Sequence, residues 1–131
     1  MATTTATITL SSGDLTGDAL ALSTTATLTK AGVLTGLDQS TGVGRKTTSA
    51  TTSYRIADKT VYSDAKAHKI YVKNISTTAA EFVTITVEDQ PLGRLYAGDW
   101  AFLPYAGDKD VFLTPSVSTA LTVEFLVIYE V

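Results

Sequence analysis

Few residues in this chain have the chemistry for catalysis, and their spacing suits turns better than active centres. His68 is the single histidine and cysteine is absent, so any nucleophile, base and orienter would have to be built around His68. It stands between Ala67 and Lys69 at the start of a run with strand character, where a satisfied or exposed histidine is the simpler reading than a general base. The acidic pairs Glu88-Asp89 and Asp108-Lys109-Asp110 offer oxygen ligands for calcium, or two carboxylates for glycoside hydrolysis. Both fall among turn residues, where aspartate is favoured because its side chain bonds the nearby backbone, so the turn reading takes precedence and weak surface calcium binding stays as its alternative.

The glycine-rich segment from Thr41 to Thr48 fails two tests for phosphate binding. Arg45 separates Gly44 from Lys46, where the phosphate loop needs glycine directly before lysine, and Thr47 occupies the last glycine position of the dinucleotide motif. No catalytic residue, cofactor site or metal site is therefore expected. The sequon Asn74-Ile75-Ser76 is read as a turn.

The chain has 131 residues, ten lysines and arginines against thirteen acidic residues, and a net charge of −3. Such a balance supplies no broad positive field to displace counterions from a phosphate backbone, so nucleic acid is excluded as an expected partner. The amino terminus lacks a basic segment followed by an apolar run, and no stretch has the length to cross a bilayer; a soluble protein made in the cytosol, without a membrane partner, is the expectation. Without cysteine, stability has to come from packing or from partners.

Positioning elements are legible mainly in the second half. Leu121, Val123, Phe125, Val127, Tyr129 and Val131 alternate with Thr122, Glu124, Leu126, Ile128 and Glu130; Val83, Ile85 and Val87 alternate with Thr84, Thr86 and Glu88; and Ile70 and Val72 alternate with Tyr71 and Lys73. This period of two predicts β-strands, and turn signals at 74–78, 88–91, 97–99 and 106–108 punctuate them as in a sandwich, jelly roll or small barrel.

Every aromatic residue lies at or beyond Tyr54. Residues 1–53 carry thin strands with Ile8, Leu10, Leu20, Leu22, Ala26 and Leu28 on one parity, and residues 29–53 read as a long loop. The expected architecture is an all-β, sandwich- or jelly-roll-like single domain over 54–131 with an extended Thr/Ala-rich arm over 1–53.

Two strands carry apolar residues on both faces. Trp100 and Phe102 share one face of the segment 95–105, and Leu126 and Ile128 point away from the Phe125, Val127 and Tyr129 face. Either these strands are interior or Trp100, Phe102, Leu126 and Ile128 form a subunit or partner interface. Paired aromatics two residues apart point to a packed layer, in the core or against a subunit, in preference to an open platform.

The order of KIYVKNIS, the Thr-rich EFVTITVED, PLGRLYAGDWAFLPY and the alternating terminal strand resembles the small β-sandwich structural proteins of tailed bacteriophages, including capsid decoration or cement proteins. The resemblance covers residues 54–131. It implies a virion protein on the capsid surface, synthesised in the host cytoplasm, bound to the major capsid protein lattice and assembled as a homotrimer. The alternative is a carbohydrate-binding or host-recognition module of a phage tail or fibre, with Trp100 or Tyr105 stacking on a sugar and Asp99, Asp108 or Asp110 binding hydroxyls.

Overall fold

Period-two alternation becomes eleven strands and no helix among the described residues, which are 3–15, 17 and 19–131 of the computed structural model. Met1, Ala2, Thr16 and Asp18 of the expected arm lie outside the described residues. The chain divides into two compact units, Met1–Asp38 and Gln39–Val131.

The first unit is an antiparallel hairpin of β1 (Thr5–Ser12) and β2 (Leu20–Thr27). Directly paired residues of an antiparallel ladder share a face. Ala6, Ile8 and Leu10 therefore lie with Leu20, Leu22 and Ala26 on one side, and Thr5, Thr7, Thr9 and Ser11 lie with Ser23, Thr25 and Thr27 on the other. Hydroxyl pairs zip the polar side, Thr7 to Thr25 at 2.8 Å and Thr9 to Ser23 at 3.4 Å. Below the hairpin the Leu28 N–H donates to Thr4 O and the Leu37 N–H to Leu28 O, both at 2.8 Å, and both leucines are buried.

The second unit is a sandwich of two sheets. One has the order β5 (Tyr54–Ala57), β10 (Val111–Pro115), β7 (Phe82–Val87), β8 (Gln90–Tyr96). The other runs β3 (Gln39–Ser40), β11 (Leu121–Tyr129), β6 (His68–Asn74), β9 (Trp100–Tyr105), with β4 (Gly44–Thr48) also pairing β11. The core is drawn from the inner positions of both sheets: Ile70, Val72, Val123 and Val127 from one, Val83, Ile85, Val111 and Leu113 from the other.

Residues 29–53, read as a long loop, carry the strands β3 and β4, and the second compact unit begins at Gln39. β3 and β4 line the outer edge of β11, and Thr41 bridges the gap between them: its N–H donates to Val127 O at 2.9 Å and its hydroxyl accepts the Val127 N–H at 3.0 Å. The segment carries no apolar alternation because its inward positions are Gly44, Lys46 and Thr48, opposite Phe125, Val123 and Leu121. At the sandwich rim Lys46 lies over the Tyr54 ring, 4.6 Å from its centroid, so a cation with a long apolar stem fills a place where an aliphatic residue was sought.

Two polar residues close the ends of the sandwich. Asn74 is fully buried and ties the sheets together, its amide donating to Leu95 O at 3.0 Å while its Oδ1 accepts the Ser76 N–H at 3.0 Å. The Tyr105 hydroxyl donates to Lys109 O at 2.7 Å and fixes the 106–109 turn. Gly107 in that turn is obligatory, since a Cβ there would sit 2.5 Å from the Ser63 carbonyl oxygen.

Candidate functional site

The chemistry-bearing groups singled out in the sequence are engaged by backbone and by ion pairs. His68 is 1% exposed; its Nε2–H donates to Ser63 O at 2.9 Å and its Nδ1 accepts the Glu130 N–H at 3.3 Å, so both ring nitrogens are engaged by backbone. The Asp110 carboxylate is buried and held by the Lys59 N–H at 3.0 Å and the Arg55 guanidinium at 3.4 Å. Asp108 pairs with Lys109 at 2.6 Å, and Asp99 accepts the Tyr96 N–H at 3.0 Å inside its turn. Glu88 takes the Asp110 N–H at 3.1 Å. These carboxylates serve turns and ion pairs, as aspartate does in such places. Gly44, Arg45 and Lys46, tested above for phosphate binding, are part of β4.

What the fold does bring together is the outer face of the five-stranded sheet. Three cross-strand rows run over it. Trp100 on β9 stands opposite Lys73 on β6, which faces Glu124 on β11, which faces Arg45 on β4. In the middle row Phe102, Tyr71 and Leu126 follow one another, and in the third come Pro104, Lys69, Ile128 and Ser40. All four residues singled out in the sequence, Trp100, Phe102, Leu126 and Ile128, therefore lie on one surface. Tyr71 joins them at its centre; it was read only as a strand residue, and nothing short of strand register shows that it sits between Phe102 and Leu126.

Trp100 is not a core residue. It is 47% exposed, because β9 is an edge strand whose inward positions are taken by Ala101, Leu103 and Tyr105 opposite Val72, Ile70 and His68. Phe102, Tyr71, Leu126 and Ile128 are partly exposed. An ion pair closes one side of the patch: Arg45 grips Glu124 at 2.9 Å, and the Tyr71 hydroxyl donates to the same carboxylate at 3.3 Å. Burial, with the Glu124 charge adding to it, raises the Tyr71 hydroxyl above its ordinary pKa, so this group stays a hydrogen-bond donor throughout the neutral range.

The sugar-binding arrangement is only partly present. Tyr105 is 5% exposed and offers no ring for stacking, and Asp110 is committed to Arg55 and Lys59. The exposed Trp100 ring remains. No protein-family model matches the chain, and no curated protein matches it.

Proposed function

We propose that this chain is a non-catalytic structural protein of a virion, which decorates a phage capsid by binding the major capsid protein lattice through the outer face of its five-stranded sheet. The observation that carries this reading is the continuous apolar surface of Trp100, Phe102, Tyr71, Leu126 and Ile128 on a sheet whose other side is already packed in the core. Large apolar residues clustered on an otherwise polar monomer mark protein contacts. The resemblance of residues 54–131 to phage decoration proteins supplies the kind of partner.

Binding the assembled shell and not free subunits stabilises the shell by mass action. Self-association as a homotrimer makes the second and third contacts intramolecular and multiplies weak ones. The exposed leucines of the hairpin, Leu10, Leu20 and Leu22, support a second contact of this type, with residues 1–38 acting as the arm.

Quantitative proteomics of purified heads separated from tails tests the assignment. The chain is expected in the head fraction, and the double variant Trp100→Ala/Phe102→Ala is expected to fold and yet be lost from it. Recovery in tails alone, or undiminished attachment of the double variant, overturns the reading. The exposure of Trp100 favours one competing function, glycan recognition; binding on a glycan array that disappears with Trp100→Ala would establish it instead.

A further inference from the structure

The cations of this chain are distributed unevenly in their partners. Lys30, Arg45, Arg55, Lys59, Lys66 and Lys109 each pair with a carboxylate, and Lys46 and Arg94 each lie over an aromatic ring, of Tyr54 and Phe82. Among the described residues, the two of the ten lysines and arginines left without such a partner are Lys69 and Lys73. Both stand on the outer face of the five-stranded sheet, one on either side of Tyr71 along β6. Glu124, directly opposite Lys73, is already taken by Arg45 and by the Tyr71 hydroxyl.

We infer that this face takes a protein surface of complementary charge, with an apolar centre seated on Phe102, Tyr71 and Leu126 and a carboxylate opposite each of Lys69 and Lys73. The inference rests on the reading of this face as a docking surface and names the chemistry of its partner. Three residues of strand, and so four rises, separate the two lysines, and their Cα atoms lie about 13 Å apart; the partner's carboxylates flank its apolar centre at a similar span. Desolvating an unpaired ammonium in an interface is costly unless an anion meets it.

A second copy of this face is a poor occupant for the same reason. Self-pairing would bring lysines towards lysines, with the Glu124 carboxylate unavailable to neutralise them. Single-stranded nucleic acid would find aromatic rings here, but only two unpaired cations on a chain of net charge −3, too few to release many counterions.

The test uses the full chain in the purified native assembly that contains it. A water-soluble carbodiimide joins an ammonium and a carboxylate only where they are already in contact, and mass spectrometry then identifies the joined peptides. Lys69 and Lys73 are expected to be linked to aspartate or glutamate of a different protein. Lys69→Gln/Lys73→Gln is expected to lower affinity for the assembly about tenfold at low salt, as the loss of two exposed charge pairs does, and Lys69→Glu/Lys73→Glu more. Both differences should shrink towards 1 M salt, while the control Lys109→Glu attaches normally. Melting temperatures near that of the parent show that the variants fold.

Links from these lysines solely to another copy of this chain would overturn the inference. So would tight binding of a thymidine 12-mer abolished by the same substitutions, or normal attachment of both double variants with no link formed. If the assembly is a capsid gripped through Trp100 and Phe102 but with no carboxylate against Lys69 or Lys73, the inference alone fails. If it is some other assembly with carboxylates against Lys69 and Lys73, only the capsid assignment fails. A chain recovered free of every assembly sinks both.

Discussion

In the sandwich, both sheets turn an aliphatic face inward, so Ile70, Val72, Val83, Leu113 and Val123 are all fully buried. In the hairpin of β1 and β2 the same alternation puts the leucines on one face and most of the hydroxyl residues on the other, with Thr24 and Ser12 among the leucines, yet Leu10, Leu20 and Leu22 remain 37 to 47% exposed. The difference shows that patterning creates an apolar face but a second layer is needed to use it. Two strands without such a layer are marginal in water, whereas sheets that face each other remove both apolar surfaces from solvent at once.

The sharpest way to break this contrast is to truncate one leucine in each region. Leu113→Ala is expected to lower unfolding free energy by about 2 to 5 kcal/mol, because it leaves a cavity in a fully packed layer. Leu22→Ala should change it by less than about 0.5 kcal/mol, as surface substitutions do. Denaturant titration of both variants reads the two values, and equal losses would show that the hairpin face is as thoroughly buried in solution as the core.

Asn74→Ala should follow in size, at about 1 to 3 kcal/mol, since it leaves the buried Leu95 carbonyl and Ser76 N–H without the partners that Asn74 provides. A loss below a few tenths, measured in the same titration, would mean that the sheets do not depend on this tie.

Alkaline pH should loosen the sandwich selectively. Burial pushes the Tyr105 hydroxyl up to about 12, with Tyr62 and nearby carboxylates adding to it, and burial likewise pushes Tyr54 up to about 12. The neutral form is the one favoured by the fold, so their contribution is fully present below the ordinary tyrosine pKa of about 10. It is lost as pH rises from there through 12, because the unfolded state binds fewer protons across that window. Ultraviolet titration should show Tyr54 and Tyr105 ionising well above the ordinary tyrosine range, with the unfolding midpoint falling in the same interval; ionisation of both within the ordinary range would contradict the packing described for Tyr105.

A small effect on stability is also expected at Trp100. Its exposure limits the loss from Trp100→Ala to less than about 1 kcal/mol, while attachment to a partner should suffer far more. A drop in melting temperature as large as that of Leu113→Ala would place Trp100 in the core after all.

Much of the fold is legible in the chain because period-two alternation needs no tertiary information. β6, β7 and β11 appear where Ile70, Val72, Val83, Ile85, Val123 and Val127 set the inward face, and the parity of Ile8, Leu10, Leu20 and Leu22 shows two thin strands but not their pairing with each other as a hairpin. β4 is not legible, since Gly44, Lys46 and Thr48 face inward at a rim where solvent and an aromatic ring replace the core. The turn expected over 88–91 also ends early, with Gln90 and Pro91 already in the edge strand β8.

The sequence determined that Trp100 and Phe102 share a face, and that Leu126 and Ile128 share one, because alternate residues of any strand point the same way. Only the tertiary structure decided that these are one face, with Tyr71 between them and two unpaired lysines beside them. That depends on β6 lying between β9 and β11 and on the register of both ladders, where a slip of one residue would send each apolar side chain to the opposite side of the sheet.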